Sequence, residues 1–83
     1  MIYYLLMCRS LTAAQRFAAV LDRAGIAAAA IRSPVASPNG CGWCVRVSEN
    51  RLTDALSALE RQRLRPVKIY MMYPNGEYTE VAM

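Results

Sequence analysis

The stretch Asn39-Gly40-Cys41-Gly42-Trp43-Cys44-Val45-Arg46-Val47 holds two of the chain's three cysteines. A Cys-x-x-Cys spacing serves four chemistries: a disulfide staple, a metal clip, a thiol redox pair, or one working thiolate with a neighbour. In thioredoxin-type sites the pair opens a helix whose dipole acidifies the first thiol. Here Trp43, Val45 and Val47 alternate with Cys44 and Arg46, so a strand follows instead. Cys41, between Gly40 and Gly42 and after Pro38-Asn39, has little packing reason to be there. Its flanking glycines admit a positive φ or close approach by a partner, which suits a presented thiol. Cys44 falls inside the strand, where packing competes with a resolving role. Cys8 closes an apolar run and reads first as a small buried hydrophobe. Trp43 reads first as a core anchor.

Other chemistries find less support. A structural zinc site takes four ligands, and with three cysteines and no histidine the chain does not complete one alone. A soft ion such as Cu(I) accepts two or three sulfurs. Copper or zinc on Cys8, Cys41 and Cys44 is therefore the alternative to a protein without cofactor. The lack of histidine removes the usual catalytic triads, and the scattered glycines form neither a dinucleotide fingerprint nor a P-loop.

The surrounding elements must position these thiols. Ile2–Cys8 is an apolar run read as a buried strand. Thr12 and Gln15 fit a capping box, with Thr12 as N-cap. Leu11, Ala14, Phe17, Ala18, Leu21 and Ala24 then recur at helical spacing up to Gly25, which suits a C-terminal left-handed position. Ile26–Arg32 carries four alanines, which favour a helix by propensity. A helix has just ended, however, and isoleucines flank the segment, so a strand is expected. Ser33–Gly42 is a loop, and Trp43–Val47 the third strand. A second helix is expected over about Asn50–Leu64, with Leu52, Ala55, Leu56 and Leu59 on one stripe and Ser48 or Asn50 as cap. Val67–Tyr73 is the fourth strand. Pro74-Asn75-Gly76 is a turn, and Glu77–Val81 an edge strand.

The order predicts one α+β domain over residues 1–83: a ferredoxin-like β-α-β-β-α-β sandwich over 2–73 and a short C-terminal extension over 74–83. Its sheet is antiparallel, with the first and third strands adjacent and both helices on one face. This topology brings Cys8, Arg9, the first helix N-terminus, the Cys41–Cys44 segment and the end of the second helix to one edge of the sheet. Helix N-termini and nearby arginines favour thiolates. Arg9 and Thr12 are therefore candidate anion-stabilising residues, and Gly40 and Gly42 candidate access residues.

Composition narrows the setting. The chain has 83 residues, 55% of them hydrophobic but only 8% aromatic, so a core is available without much bulk per residue. An odd number of cysteines disfavours a secreted disulfide scaffold. Met1–Cys8 has neither a basic segment before it nor a cleavage site after it, and is far shorter than the roughly 20 residues that span a bilayer. A cytoplasmic protein with reduced thiols is expected. The net charge is +4, and nine of the ten basic residues are arginines, three of them in Arg61-Gln62-Arg63-Leu64-Arg65. Those three read first as complements to a helix C-terminus. Nucleic acid is disfavoured because no recognised motif accompanies the charge. An acidic partner or anionic substrate is the remaining reading.

The chain resembles the Se/S carrier protein-like family of small bacterial proteins over about residues 2–73. The resemblance rests on the opening hydrophobic strand, Ser10 and Thr12 at the first helix start, Ala24-Gly25-Ile26, Pro34, Ser37, and above all Cys41-Gly42 leading into the third strand. It implies a carrier of sulfur or selenium, as a persulfide or selenosulfide on Cys41, loaded and unloaded by donor and acceptor proteins. Trp43, Cys44, Cys8 and the Pro74–Met83 tail depart from the simplest pattern. A second thiol at Cys44 could resolve a persulfide as a disulfide. A metal or thiol-redox module and a non-catalytic interaction domain are the competing readings. The sheet face opposite the helices is expected to carry Lys68, Tyr70 and Met72, and a homodimer through that face is the expected assembly.

Overall fold

A computed structural model describes residues 2–34 and 42–81. Its elements are β1 (Tyr3–Met7), α1 (Leu11–Arg23), β2 (Ala28–Arg32), β3 (Trp43–Ser48), a 3-10 turn (Glu49–Arg51), α2 (Leu52–Arg61), β4 (Lys68–Met72) and β5 (Tyr78–Val81). The protein is α+β, with five antiparallel strands in the order β2-β3-β1-β4-β5. β1 and β3 are neighbours, as the crossover argument requires. β5 lengthens the sheet beyond four strands.

The apolar run of β1 follows from its central place, where both faces of the strand are covered. Leu6 faces α1 and α2 in a core with Ala14, Phe17, Leu21, Val45, Val47, Ala55, Leu59 and Ile69. Leu5 and Met7 face the other way and pack with Cys44 against Ile31, Tyr70 and Met72. The helical stripes are borne out at Ala14, Phe17, Leu21, Ala55 and Leu59, all buried. Leu11, 39% exposed at the first turn, and Ala24, exposed at the C-cap, are the exceptions. The four-alanine segment is a strand from Ala28, paired along β3.

Two local expectations are corrected. The α1 N-cap is Ser10, not Thr12: its Oγ accepts the Ala13 N–H at 3.1 Å from extended backbone. Thr12 is the second residue of the helix and is exposed. α2 starts at Leu52 behind the 3-10 turn, with neither Ser48 nor Asn50 giving a side-chain cap, and ends at Arg61 rather than Leu64.

Both helices end in the same hydrogen-bond pattern. In α1, Gly25 N–H donates to Asp22 and Ile26 N–H to Leu21; in α2, Arg63 N–H donates to Glu60 and Leu64 N–H to Leu59. Gly25 takes the required left-handed backbone at φ 77°, but Arg63 occupies the same position at φ 59°. A β-carbon is strained there. Arg63→Gly should therefore stabilise the fold by about 0.5–1 kcal/mol, measured by urea unfolding. A loss of stability would show that the Arg63 side chain contributes more than the strain costs.

Candidate functional site

The sheet edge where β1 ends is built from five chain segments. Met7 pairs with Cys44 on one side and Lys68 on the other, and Arg32 pairs with Trp43. One residue further, Cys8 N–H donates to the Trp43 carbonyl at 3.1 Å, and Val67 N–H to the Met7 carbonyl at 2.8 Å. Ser33 N–H closes the base of the β2–β3 connection onto the Gly42 carbonyl. Cys8, Arg9, the Ser10-capped start of α1, Gly42-Trp43-Cys44 and the α2–β4 connection therefore meet at one edge. Cys41 and Gly40 lie outside the described residues, but Gly42 fixes where the segment carrying them rejoins the sheet.

The other two cysteines do not point the same way. Cys8 is 3% exposed on the helix side, its Sγ 3.4 Å from the Leu6 carbonyl. Cys44 is 0% exposed on the opposite side, beside Leu5 and Met7. Strand alternation explains this: Trp43, Val45 and Val47 take the helix face, so Cys44 and Arg46 take the other. The alternative ligand set of Cys8, Cys41 and Cys44 thus has two members on opposite faces of the sheet. Among the described residues, no three Cys, Asp or Glu side chains are grouped to hold a metal ion.

Of the residues expected to favour an anion, Arg9 is exposed immediately after Cys8, and Thr12 yields the capping position to Ser10. Gly42 does not use a positive φ. A β-carbon there would stand 3.4 Å from Cδ and Nη1 of the exposed Arg32 side chain, at the limit of ordinary contact. The Arg32 guanidinium passes that glycine and stacks over Trp43, 5.1 Å from the ring centroid. Ser33 adds an Oγ contact to Met7 Sδ at 3.5 Å. Sequence reasoning missed Arg32 and Ser33, since nothing local in Ile31-Arg32-Ser33-Pro34 marks them. Ser10 was legible as a hydroxyl three residues before Ala13, but the Thr12–Gln15 spacing competed with it.

The sheet face away from the helices carries Tyr3, Arg46, Tyr70, Met72 and Tyr78 around the buried Leu5–Met7–Cys44 group. Arg46 lies 4.7 Å over the Tyr3 ring, and Tyr70 meets Tyr78 edge-on at 5.7 Å. Lys68 bonds Glu80 at 3.1 Å at the exposed β4–β5 edge, and that carboxylate raises the Lys68 pKa. A cleft of about 230 Å³ lies toward the other end of this face, lined by Tyr3, Ala28, Ala29, Arg46 and Ser48. Among the described residues, no helix is long and apolar enough to cross a membrane.

No curated protein and no solved structure matches the chain. A family model does, over residues 3–71, which runs from β1 into β4 and takes in the Cys41-Gly42 pair and all three cysteines. The chain belongs to the family described as "Putative Se/S carrier protein-like".

Proposed function

We propose that the protein carries sulfur or selenium between a donor and an acceptor protein on the thiolate of Cys41. The observation that carries this reading is the family match across the Cys41-Gly42 segment, in a chain whose other cysteines are packed in the interior. In the loading step the Cys41 thiolate attacks the terminal sulfur of a donor persulfide. The new S–S bond forms at Cys41 as the donor's own S–S bond breaks, and the donor leaves as a thiolate. One sulfur atom moves, with no net oxidation. Unloading is the same exchange onto an acceptor thiol, and a selenium atom would follow the same route.

The sheet-edge geometry supports the reading. Arg9 and the N-terminus of α1 stand at the edge where Gly42 enters the sheet, and both favour a thiolate. Gly40 and Gly42 give access. Cys44, three residues after Cys41 and inside β3, acts from within the packed sheet as a modifier rather than as the carrier. In this reading the β-α-β-β-α-β portion is a ferredoxin-like core extended by β5, and the protein works in the cytoplasm, where thiols stay reduced.

Incubation with a cysteine desulfurase and cysteine, followed by intact-mass analysis, tests it. The wild-type chain should gain one sulfur atom, and Cys41→Ser should gain none. Absence of the adduct, or its persistence in Cys41→Ser, would overturn the proposal.

A further inference from the structure

The fold sorts the charges of this chain by end. Six of the ten basic residues lie at the edge that holds the cysteine segment. Arg9 follows β1, Arg32 ends β2, Arg61 ends α2, Arg63 and Arg65 lie in the α2–β4 connection, and Lys68 opens β4. All six are exposed. Four of the six acidic residues lie at the opposite end: Asp22 in the last turn of α1, Glu49 and Asp54 around the start of α2, and Glu77 in the β4–β5 connection. Of the other two, Glu80 is bonded to Lys68. Glu60 belongs to the last turn of α2. Among the described residues, Lys68 is the one member of the basic group in an ion pair.

Helix electrostatics do not account for this arrangement. Arg61, Arg63 and Arg65 complement the C-terminus of α2. Arg9, Arg32 and Lys68 belong to three other segments, and Arg9 precedes a helix N-terminus, where a cation is unfavourable. Like charges gathered at one edge from four segments, five of the six in no ion pair among the described residues, point outward to a binding partner.

We propose that this end docks an acidic patch on the donor or acceptor protein through the basic residues that share the edge with Trp43 and Cys44. The inference rests on the carrier reading for the identity of the partner. Charge complementarity selects the occupant, and arginine suits it because the guanidinium pairs bidentately with carboxylates. A protein fits better than a nucleic acid strand. Trp43, the aromatic ring in this row of the sheet, already has Arg32 stacked on it, whereas single-stranded nucleic acids are held by rings open to base stacking.

Calorimetric titration with a deca-glutamate peptide and with a single-stranded oligonucleotide of equal net charge tests the assignment. The peptide should bind the wild-type chain, more weakly as salt is added. Arg61→Glu, Arg63→Glu and Arg65→Glu together should lose roughly tenfold or more of that affinity. A control with the same net charge, Arg16→Glu with Arg23→Glu and Arg51→Glu, should lose much less. No binding by the peptide, equal losses in the two triple variants, or tighter binding of the oligonucleotide would each overturn the proposal. Circular dichroism confirms that both variants fold. Loading of Cys41 by free cysteine persulfide needs no protein docking. Its success in the Arg61/Arg63/Arg65 variant separates loss of docking from failure of the carrier reading.

Discussion

In the native protein, Cys8 and Cys44 should react with a thiol reagent at least about a thousandfold more slowly than in urea, leaving one fast thiol, assigned to Cys41. The argument starts from burial: Cys8 is 3% and Cys44 0% exposed, on opposite faces of the same sheet. A reagent reaches either only when the structure opens, and core positions open at a cost approaching the global stability. An opening free energy of about 4 kcal/mol is three decades in rate. Cys44 is the demanding case, because β3 is hydrogen-bonded on both sides, to β1 and to β2. Timed alkylation with peptide-level mass spectrometry measures all three sites at once. The result also bears on mechanism. A Cys44 that reacts only through opening leaves a sulfane sulfur on Cys41 intact between donor and acceptor. Fast native alkylation of Cys44 would instead support a resolving thiol and count against single-cysteine carriage.

How far the sequence anticipates the molecule depends on the range of the interaction involved. Strand β1, the middle of each helical stripe and the left-handed Gly25 are local patterns, and each is found where its pattern predicts. The neighbouring β1 and β3 follow from element order alone. The face taken by Cys44 is legible from alternation, but its complete burial is not: it depends on Leu5 and Met7 next door, together with Ile31, Tyr70 and Met72. Thr12 and Ser10 show a local contest. The Thr12–Gln15 spacing is the fuller capping signal, yet the chain leaves extended geometry at Ser10 (φ −159°), two residues earlier. Arg63 at a left-handed position carries no signal, because that conformation normally selects glycine. The charge polarity becomes visible only after folding, since Arg9, Arg32 and Arg65 are distant in the chain. Cys41 and Gly40 lie outside the described residues, so their roles stand on the Cys-Gly motif and on where Gly42 is fixed.

Replacing Leu6 by alanine should destabilise the protein by about 3 kcal/mol, and replacing its neighbour Leu5 should cost distinctly less. Leu6 is 0% exposed on the central strand, between Val45 and Ile69 in register and beneath Phe17, Leu21 and Leu59. Two helices and a sheet surround it, and such a layer collapses little around a missing side chain. The loss therefore combines the transfer of the methyl and methylene groups with the cavity they leave, in a range of about 2–5 kcal/mol. In a domain of this size a loss of about 3 kcal/mol lowers the thermal midpoint by roughly 10–25 °C. It is also a large share of the roughly 5–15 kcal/mol that holds such folds together. Leu5 is almost as buried, at 1%, but its neighbours include the partly exposed Tyr70 and Met72. Side chains of that kind shift into a vacated volume, which keeps the cavity term small. Paired urea titrations of the two alanine variants thus report which face of β1 the helices cover. Equal costs would mean that the Leu5 face is held as rigidly as the core. In that case a layer as firm as the helices must lie over Cys44 as well, and the slow alkylation expected there would share its cause.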